Sequence, residues 1–156
     1  KPTAVGAATG AVIGLVAITP GAGFVPVWSA IVIGLAVSPL CWLFISKIKE
    51  KLGYDDALDV FGCHGVGGIW GGIATGLFAS SGVNGVDGLF YGNPGQLLNQ
   101  LIAIGITAAL AAAGTLLILK FLGLFAGLRI SSREEADGLD GAQHGESAYP
   151  SFTGLD

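Results

Sequence analysis

Long stretches without a charged side chain constrain this chain more than any other feature. There is no Lys, Arg, Asp or Glu from residue 3 to residue 46, and Asp87 is the only one from residue 60 to residue 119. A helix on the surface of a soluble protein carries charged or polar residues on its outer face. These segments have no such face, so lipid or neighbouring protein must cover them. A very apolar core inside a larger soluble protein is the weaker alternative, because core helices of that kind are usually shorter.

The lengths of these segments predict membrane spans. Mean hydropathy is +0.72 and only 12% of residues are charged, which is about half the charged share of a soluble domain. Four segments have close to the roughly 20 residues that cross a bilayer, at residues 3–19, 26–46, 57–79 and 97–125. The predicted fold class is therefore all-α, a polytopic transmembrane helical bundle over residues 1–127. A polar tail follows over residues 128–156.

Basic residues predict the orientation in the membrane. Lys47, Lys49 and Lys51 lie between the second and third spans, and Lys120 and Arg129 lie near the end of the fourth. Positive charge favours the cytoplasmic side, so both regions are expected there, in a multi-pass protein of the cell membrane with a cytoplasmic C-terminus. The net charge is −4 and no basic patch is present, so a nucleic-acid partner is not expected.

His64 is the most informative single residue. It lies in a glycine-rich apolar segment over residues 60–79, and an imidazole inside a membrane helix is a functional-site candidate. Two interpretations stay open. The ring is satisfied by a hydrogen bond to a neighbouring helix, or it faces a narrow passage and meets a polar solute or another imidazole. Neutral imidazole has one donor and one acceptor and can relay a proton.

Three acids precede this segment, and they predict a charged mouth on the cytoplasmic side. Asp55, Asp56 and Asp59 lie just before the apolar run. Carboxylates at the start of a helix can cap it, because they meet the positive end of the helix dipole. They could also concentrate cations, although capping alone is favoured for at least one of them.

No sequence pattern predicts an enzyme, a cofactor or a metal site. Cys63 is next to His64, but adjacent side chains of a helix point about 100° apart, and the apolar region holds no second Cys/His pair. No nucleophile-elbow or phosphate-binding motif is present. The glycines instead predict close helix packing, because they recur every four residues at Gly6, Gly10 and Gly14 and again at Gly68, Gly72 and Gly76.

Several stretches resemble one family of membrane proteins. Residues 55–68, followed by residues 72–79, closely resemble the tenth transmembrane helix of the Amt/MEP/Rh ammonium transporters. Residues 1–20 resemble the eighth helix and its end, and residues 127–129 resemble the exit from the eleventh. Residues 134–140 and 144–149 resemble the cytoplasmic tail of the bacterial and archaeal Amt branch.

The resemblance implies a fold, a function and a set of site residues. The fold is an eleven-helix subunit of a homotrimer, each subunit with a narrow apolar pore, and this chain corresponds to helices eight to eleven and the tail. The function is transport of ammonium or ammonia. His64 falls on the second of the family's paired pore histidines, Val60 matches a pore-lining position one turn below it, and Thr9 falls near the lower pore.

The resemblance also implies partners. The family's tail couples subunits and receives PII-type regulatory proteins, and four residues match its motif: Asp140, His144, Glu146 and Tyr149. The first histidine of the pore pair has no counterpart in this chain, so the remaining N-terminal part of the transporter is an expected partner. The alternative function is an ammonium sensor that signals through its cytoplasmic end. The short tail after Arg129 favours transport.

Overall fold

The structure is a computed structural model that describes residues 2–146, and no strand occurs in that range. Its α-helices are α1 (Ala4–Ile18), α2 (Val27–Leu43), α3 (Lys49–Leu52), α4 (Gly67–Phe78), α5 (Ser81–Asn84), α6 (Pro94–Leu122) and α7 (Ser132–Asp137). π-helical turns span Phe44–Ile48, Phe61–Val66 and Asp140–His144, and 3₁₀ turns span Thr19–Gly21 and Leu89–Tyr91. The chain divides into two compact units, one up to Ala109 and one from Leu110 onward.

Three helices in the described part of the chain are long and apolar enough to cross a membrane. They span Ala4–Gly21, Val27–Leu52 and Pro94–Leu122. In the second of them, α2 continues through a π-helical turn into α3, which ends at Gly53 with a left-handed φ of 63°. A glycine in this conformation is a common helix terminator, because it has no Cβ to clash.

The helix that carries His64 is shorter than its sequence pattern indicates. A π-helical turn (Phe61–Val66) continues into α4, and we call the whole element, Phe61–Phe78, the His64 helix. It begins four residues after residue 57, where the apolar pattern begins, and it is not one of the three long spans. The reason lies at Asp59, whose φ of 55° is left-handed and interrupts a right-handed helix.

The core of the first unit lies where α1, α2 and the His64 helix meet. Ser29, Ile33, Val37 and Cys41 are buried and recur every four residues along α2, so they form one stripe on that helix. Trp70 of the His64 helix donates from its indole Nε1 to the carbonyl oxygen of Ile33 at 3.1 Å. This contact fastens the His64 helix to the same stripe.

Two of the three spaced glycines of the His64 helix provide the predicted close approach, whereas nothing else in the described range lies within 4 Å of a Cβ added at Gly68. A Cβ added at Gly72 would lie 2.8 Å from Ile104 Cδ1, and one at Gly76 would lie 2.8 Å from the Cα of Leu97. The first half of α6 therefore packs onto this face, within the first unit. A Cβ added at Gly10 of α1 would meet nothing within 4 Å beyond its own helix backbone, so that helix makes no such approach there within residues 2–146.

Candidate functional site

His64 lies on the open side of its helix. Gly62 and Cys63 are buried against neighbouring helices, whereas His64 is exposed. No hydrogen bond to the imidazole is found among residues 2–146. The described helices therefore do not hold the ring by a hydrogen bond.

Val60 shares this side with His64. It is 52% exposed and immediately precedes the His64 helix. Residues four apart lie above one another on a helix, so Val60 lies about one turn below the imidazole. Together they make an open strip with one apolar and one polar side chain.

Thr9 is half-buried on α1, the helix that packs against the first turn of the His64 helix. Its hydroxyl donates to the carbonyl oxygen of Val5 at 2.9 Å. The hydroxyl proton is therefore used within α1, and only the oxygen lone pairs remain to accept a hydrogen bond.

Asp56 determines where the His64 helix begins. Its carboxylate accepts from the backbone N–H of Val60 at 2.8 Å through Oδ1 and from that of Phe61 at 2.9 Å through Oδ2. The first N–H groups of a helix have no partner within the helix, and a negative charge there also favours the helix dipole. Asp56 therefore acts as a cap.

Asp59 forms an ion pair that the sequence pattern did not reveal. Its Oδ1 lies 2.6 Å from Lys49 Nζ, and both side chains are largely shielded from solvent. Lys49 also donates to the backbone carbonyl oxygen of Asp56. In the sequence, Lys49 was used only to predict orientation. Its position shortly before the three acids could have indicated an ion pair. The third acid, Asp55, is exposed in the same loop.

Aromatic rings surround the first turn of the His64 helix. The ring of Phe61 lies 5.4 Å from that of Phe44 and 6.2 Å from that of Tyr54. The hydroxyl of Tyr54 is buried and has no hydrogen-bond partner within the described range. Burial raises the pKa of Tyr54, with the nearby Asp56 carboxylate adding to the effect. The loop is thus held by packing as well as by charge.

In the second unit the tail folds locally. Ser131 and Glu134 form a capping box at the start of α7, and Gln143 donates to Glu134 Oε1 at 3.0 Å. Hydrogen bonds from the Ser131 hydroxyl, from its backbone N–H and from Gln143 hold the pKa of Glu134 below its usual value. The loop between α7 and the last π-helical turn is therefore closed by side-chain contacts.

The predicted regulatory residues fall at the end of this folded tail. Asp140 begins the π-helical turn that His144 ends, and the backbone N–H of Glu146 donates to the carbonyl oxygen of Asp140 at 2.9 Å. All three residues are exposed. Tyr149 lies outside the described residues.

No group of three His, Cys, Asp or Glu side chains that could hold a metal ion occurs in residues 2–146. The sequence itself decides the family. The profile of the Ammonium Transporter Family matches residues 1–149, almost the whole chain. This chain belongs to the ammonium transporter family.

Curated members of the ammonium transporter family are closely similar to this chain in sequence. The ammonium transporter of Bacillus subtilis (strain 168) is 51% identical over 151 residues, which cover 96% of this chain and 37% of that protein. Ammonium transporter Amt1 of Archaeoglobus fulgidus is 49% identical over 150 residues, with coverage of 96% and 38%. The chain thus spans well under half the length of these relatives. Their names are those of transporters and not of enzymes, as the sequence predicts.

Solved structures of the family have the same fold. Mep2 of Candida albicans is 36% identical with a TM-score of 0.75, covering 86% of this chain and 31% of that one. Mep2 of Saccharomyces cerevisiae is 36% identical with a TM-score of 0.72, covering 80% and 31%. The predicted all-α, transmembrane helical architecture is confirmed by this similarity together with the three long apolar helices.

Proposed function

We propose that this chain forms part of the wall of a narrow apolar path by which ammonium or ammonia crosses the cell membrane. In this proposal the chain is the C-terminal part, helices eight to eleven and the tail, of an eleven-helix subunit that works as a homotrimer. The curated relatives, which are named ammonium transporters, support the substrate. Their greater length supports a larger whole, because this chain spans only 37% of one and 38% of the other.

The open strip formed by Val60 and His64 is the observation that carries the proposal. Both side chains are exposed, although the residues between them include the buried Gly62 and Cys63. An imidazole left without a protein partner in an apolar setting is costly. A polar path, bounded on its other side by the N-terminal part of the subunit, would meet that cost.

The chemistry of the strip suits a small nitrogenous solute. An ammonium ion loses its hydration at high cost in an apolar passage. An imidazole lowers this cost, because it can accept a hydrogen bond or take up a proton near neutral pH. The isopropyl group of Val60 would narrow the path below the ring and exclude water. The lone pairs of the Thr9 hydroxyl would offer a weaker acceptor nearby.

The tail belongs on the cytoplasmic side in this proposal, and PII-type proteins would bind there. The lysines of the α2–α3 region support this orientation, since positive charge is retained in the cytoplasm. Asp140, His144 and Glu146 support a docking surface, because their side chains are exposed on a locally folded segment. Tyr149 would extend the same motif.

The test is ammonium-elicited current in liposomes that contain only the purified full-length protein. We expect His64→Ala to lower the current at least about tenfold, the scale of losing a group that can relay a proton. Ile69→Ala is the matched control, since Ile69 is also exposed on the His64 helix but lies off the Val60–His64 strip. An unchanged current in His64→Ala would contradict the pore role. A parent protein that gives neither a current nor an alkalinisation of the liposome lumen by ammonia would favour the sensor.

A further inference from the structure

The loop before the His64 helix contains a sheltered ion pair. The side chains of Lys49 and Asp59 are 25% and 31% exposed, and their charged atoms are 2.6 Å apart. The tail, by contrast, has ion pairs whose side chains are 54–93% exposed. Because a sheltered pair is screened less by water and salt, Lys49 and Asp59 interact more strongly than those tail pairs.

Asp59 also has an unusual backbone conformation. It is the one residue other than glycine in the described range with a positive φ, at 55°. Such a conformation persists only when surrounding contacts enforce it. Three contacts do so in this loop: the ion pair with Lys49, the Asp59 N–H bond to the Asp56 carbonyl at 3.1 Å, and the Cys63 N–H bond to the Asp59 carbonyl at 2.9 Å.

Lys49 joins this strained residue to the helix cap. Its ammonium group donates to the carbonyl oxygen of Asp56 as well as to the carboxylate of Asp59. Asp56 in turn accepts from the N–H groups of Val60 and Phe61. One ammonium group therefore contacts both Asp59, two residues before the helix, and Asp56, which caps it.

We propose that Lys49 is a positioning residue for transport: it holds the start of the His64 helix so that Val60 and His64 face the path. The inference rests on the proposed function and adds to it a residue outside the path. It also changes the role of the acids, because Asp56 and Asp59 are engaged in protein contacts and do not serve as free carboxylates that gather cations.

Cation gathering by the acids and positioning by Lys49 predict different effects of Lys49→Met in the full-length protein. Removing a positive charge beside the acids would make the mouth more negative, so a cation-gathering role predicts half-saturation at lower ammonium concentration and an undiminished maximal current. The positioning role predicts that maximal current falls about tenfold, the scale of one lost charge-assisted contact. Half-saturation should change less than twofold. Lys49→Arg keeps the pairing and should restore most of the current.

A double-mutant cycle tests the pairing itself. Asp59→Asn removes the charge, while Asn tolerates a left-handed φ. If the two side chains act as a pair, Lys49→Met with Asp59→Asn should be no worse than either single variant. Additive losses of current would overturn the proposal, as would a Lys49→Met protein with full current. Lys51→Ala, two residues away on the exposed side of α3, is the control and should behave as the parent.

Failure of the proposed function would be distinguishable from failure of this inference. If the parent protein gives neither an ammonium current nor an alkalinisation of the liposome lumen by ammonia, the transport proposal falls. The midpoints of thermal unfolding of the parent, Lys49→Met, Asp59→Asn and the double variant then test the Lys49–Asp59 contact. Equal lowering in both single variants and in the double variant would support the Lys49–Asp59 tether, whereas no lowering in any of them would overturn it.

Discussion

Two helices of this chain begin at hydrogen-bonded carboxylates, but in different surroundings. At the His64 helix, Asp56 accepts from two backbone N–H groups, and the sheltered Lys49–Asp59 pair adjoins it. At α7, Ser131 and the half-buried Glu134 exchange hydrogen bonds in a capping box. The hydrogen bonds of both caps are exposed, and what differs is that the first cap adjoins an ion pair and packed aromatic rings.

From this difference we expect a cap's consequence to depend on the contacts around it. A hydrogen bond lost in water is replaced by one to solvent, so its net contribution is small. The Lys49–Asp59 pair beside the first cap is partly shielded from solvent and is screened less, so the loop that it holds is costlier to disturb. We therefore expect the start of the His64 helix to be rigid and sensitive to substitution, and the start of α7 to be tolerant.

The largest contrast is expected from adding one methyl group at each place. A Cβ at Gly62 would overlap the side chain of Ile45, whereas nothing lies within 4 Å of a Cβ at Gly141 in the tail. We expect Gly62→Ala to lower the free energy of unfolding by about 1–3 kcal/mol, the usual cost of overpacking. Gly141→Ala should leave it unchanged or raise it slightly, since alanine restricts the unfolded chain.

Thermal unfolding of the full-length protein in detergent measures both changes. The ammonium-elicited current of Gly62→Ala should also fall, because the overlap displaces the first turn of the His64 helix. Equal unfolding temperatures for Gly62→Ala and Gly141→Ala would show that the two regions are packed alike and would remove the basis of the contrast.

A smaller contrast is expected from removing each cap. Asp56→Ala leaves the N–H groups of Val60 and Phe61 without their partner, and a lost cap of this kind costs about 1–2 kcal/mol. Ser131→Ala removes the equivalent acceptor at the six-residue α7, which makes fewer packing contacts, so the unfolding midpoint should fall less.

Asp56→Asn tests whether the charge or the hydrogen bond matters at the first cap. Asn keeps one oxygen acceptor, so we expect an unfolding midpoint between those of the parent and Asp56→Ala. If Asp56→Asn and Asp56→Ala lower the unfolding midpoint equally, the charge of Asp56 contributes most of the stabilisation from this cap. If Ser131→Ala is as harmful as Asp56→Ala, the contacts around a cap do not decide its strength in this protein.

Charge segregation made the membrane architecture predictable from sequence. Uncharged runs of bilayer length leave few alternatives to transmembrane helices, and helices at Ala4–Gly21, Val27–Leu52 and Pro94–Leu122 lie close to three of the predicted segments. The glycine spacing likewise predicted the close approach at Gly72 and Gly76. These features depend on local pattern, which a sequence displays directly.

The start of the His64 helix could not be predicted in the same way. Ala57 and Leu58 carry the apolar pattern back past Asp59, so the pattern extends the helix too far. The actual start depends on Lys49, which is ten residues before Asp59 and meets it only because the loop folds back. A hydropathy pattern cannot reveal such a contact, although this ion pair is what holds Asp59 in place.

The smallest effect is expected from acid acting on the exposed cap. Hydrogen bonds from the Ser131 side chain and backbone, and from Gln143, lower the pKa of Glu134 from its ordinary value of 4.5. A carboxyl group whose pKa is lower in the folded state stabilises that state fully above its unfolded value. This stabilisation is lost as the pH falls through the lowered pKa. Protection of the α7 amides against hydrogen exchange should therefore decrease below about pH 4.5.

Glu134→Gln is the matched control, because glutamine keeps an acceptor but does not titrate. Its α7 amides should show weaker protection at neutral pH and little further loss down to about pH 3. Protection of the amides of Val60 and Phe61, in the same full-length protein, should stay above that of α7 throughout, since the Lys49–Asp59 ion pair and the aromatic contacts of Phe61 hold this loop. If α7 were the better protected of the two, an isolated capping box would hold a helix start more firmly than a cap beside an ion pair and packed rings, and those contacts would not be what makes the first cap strong.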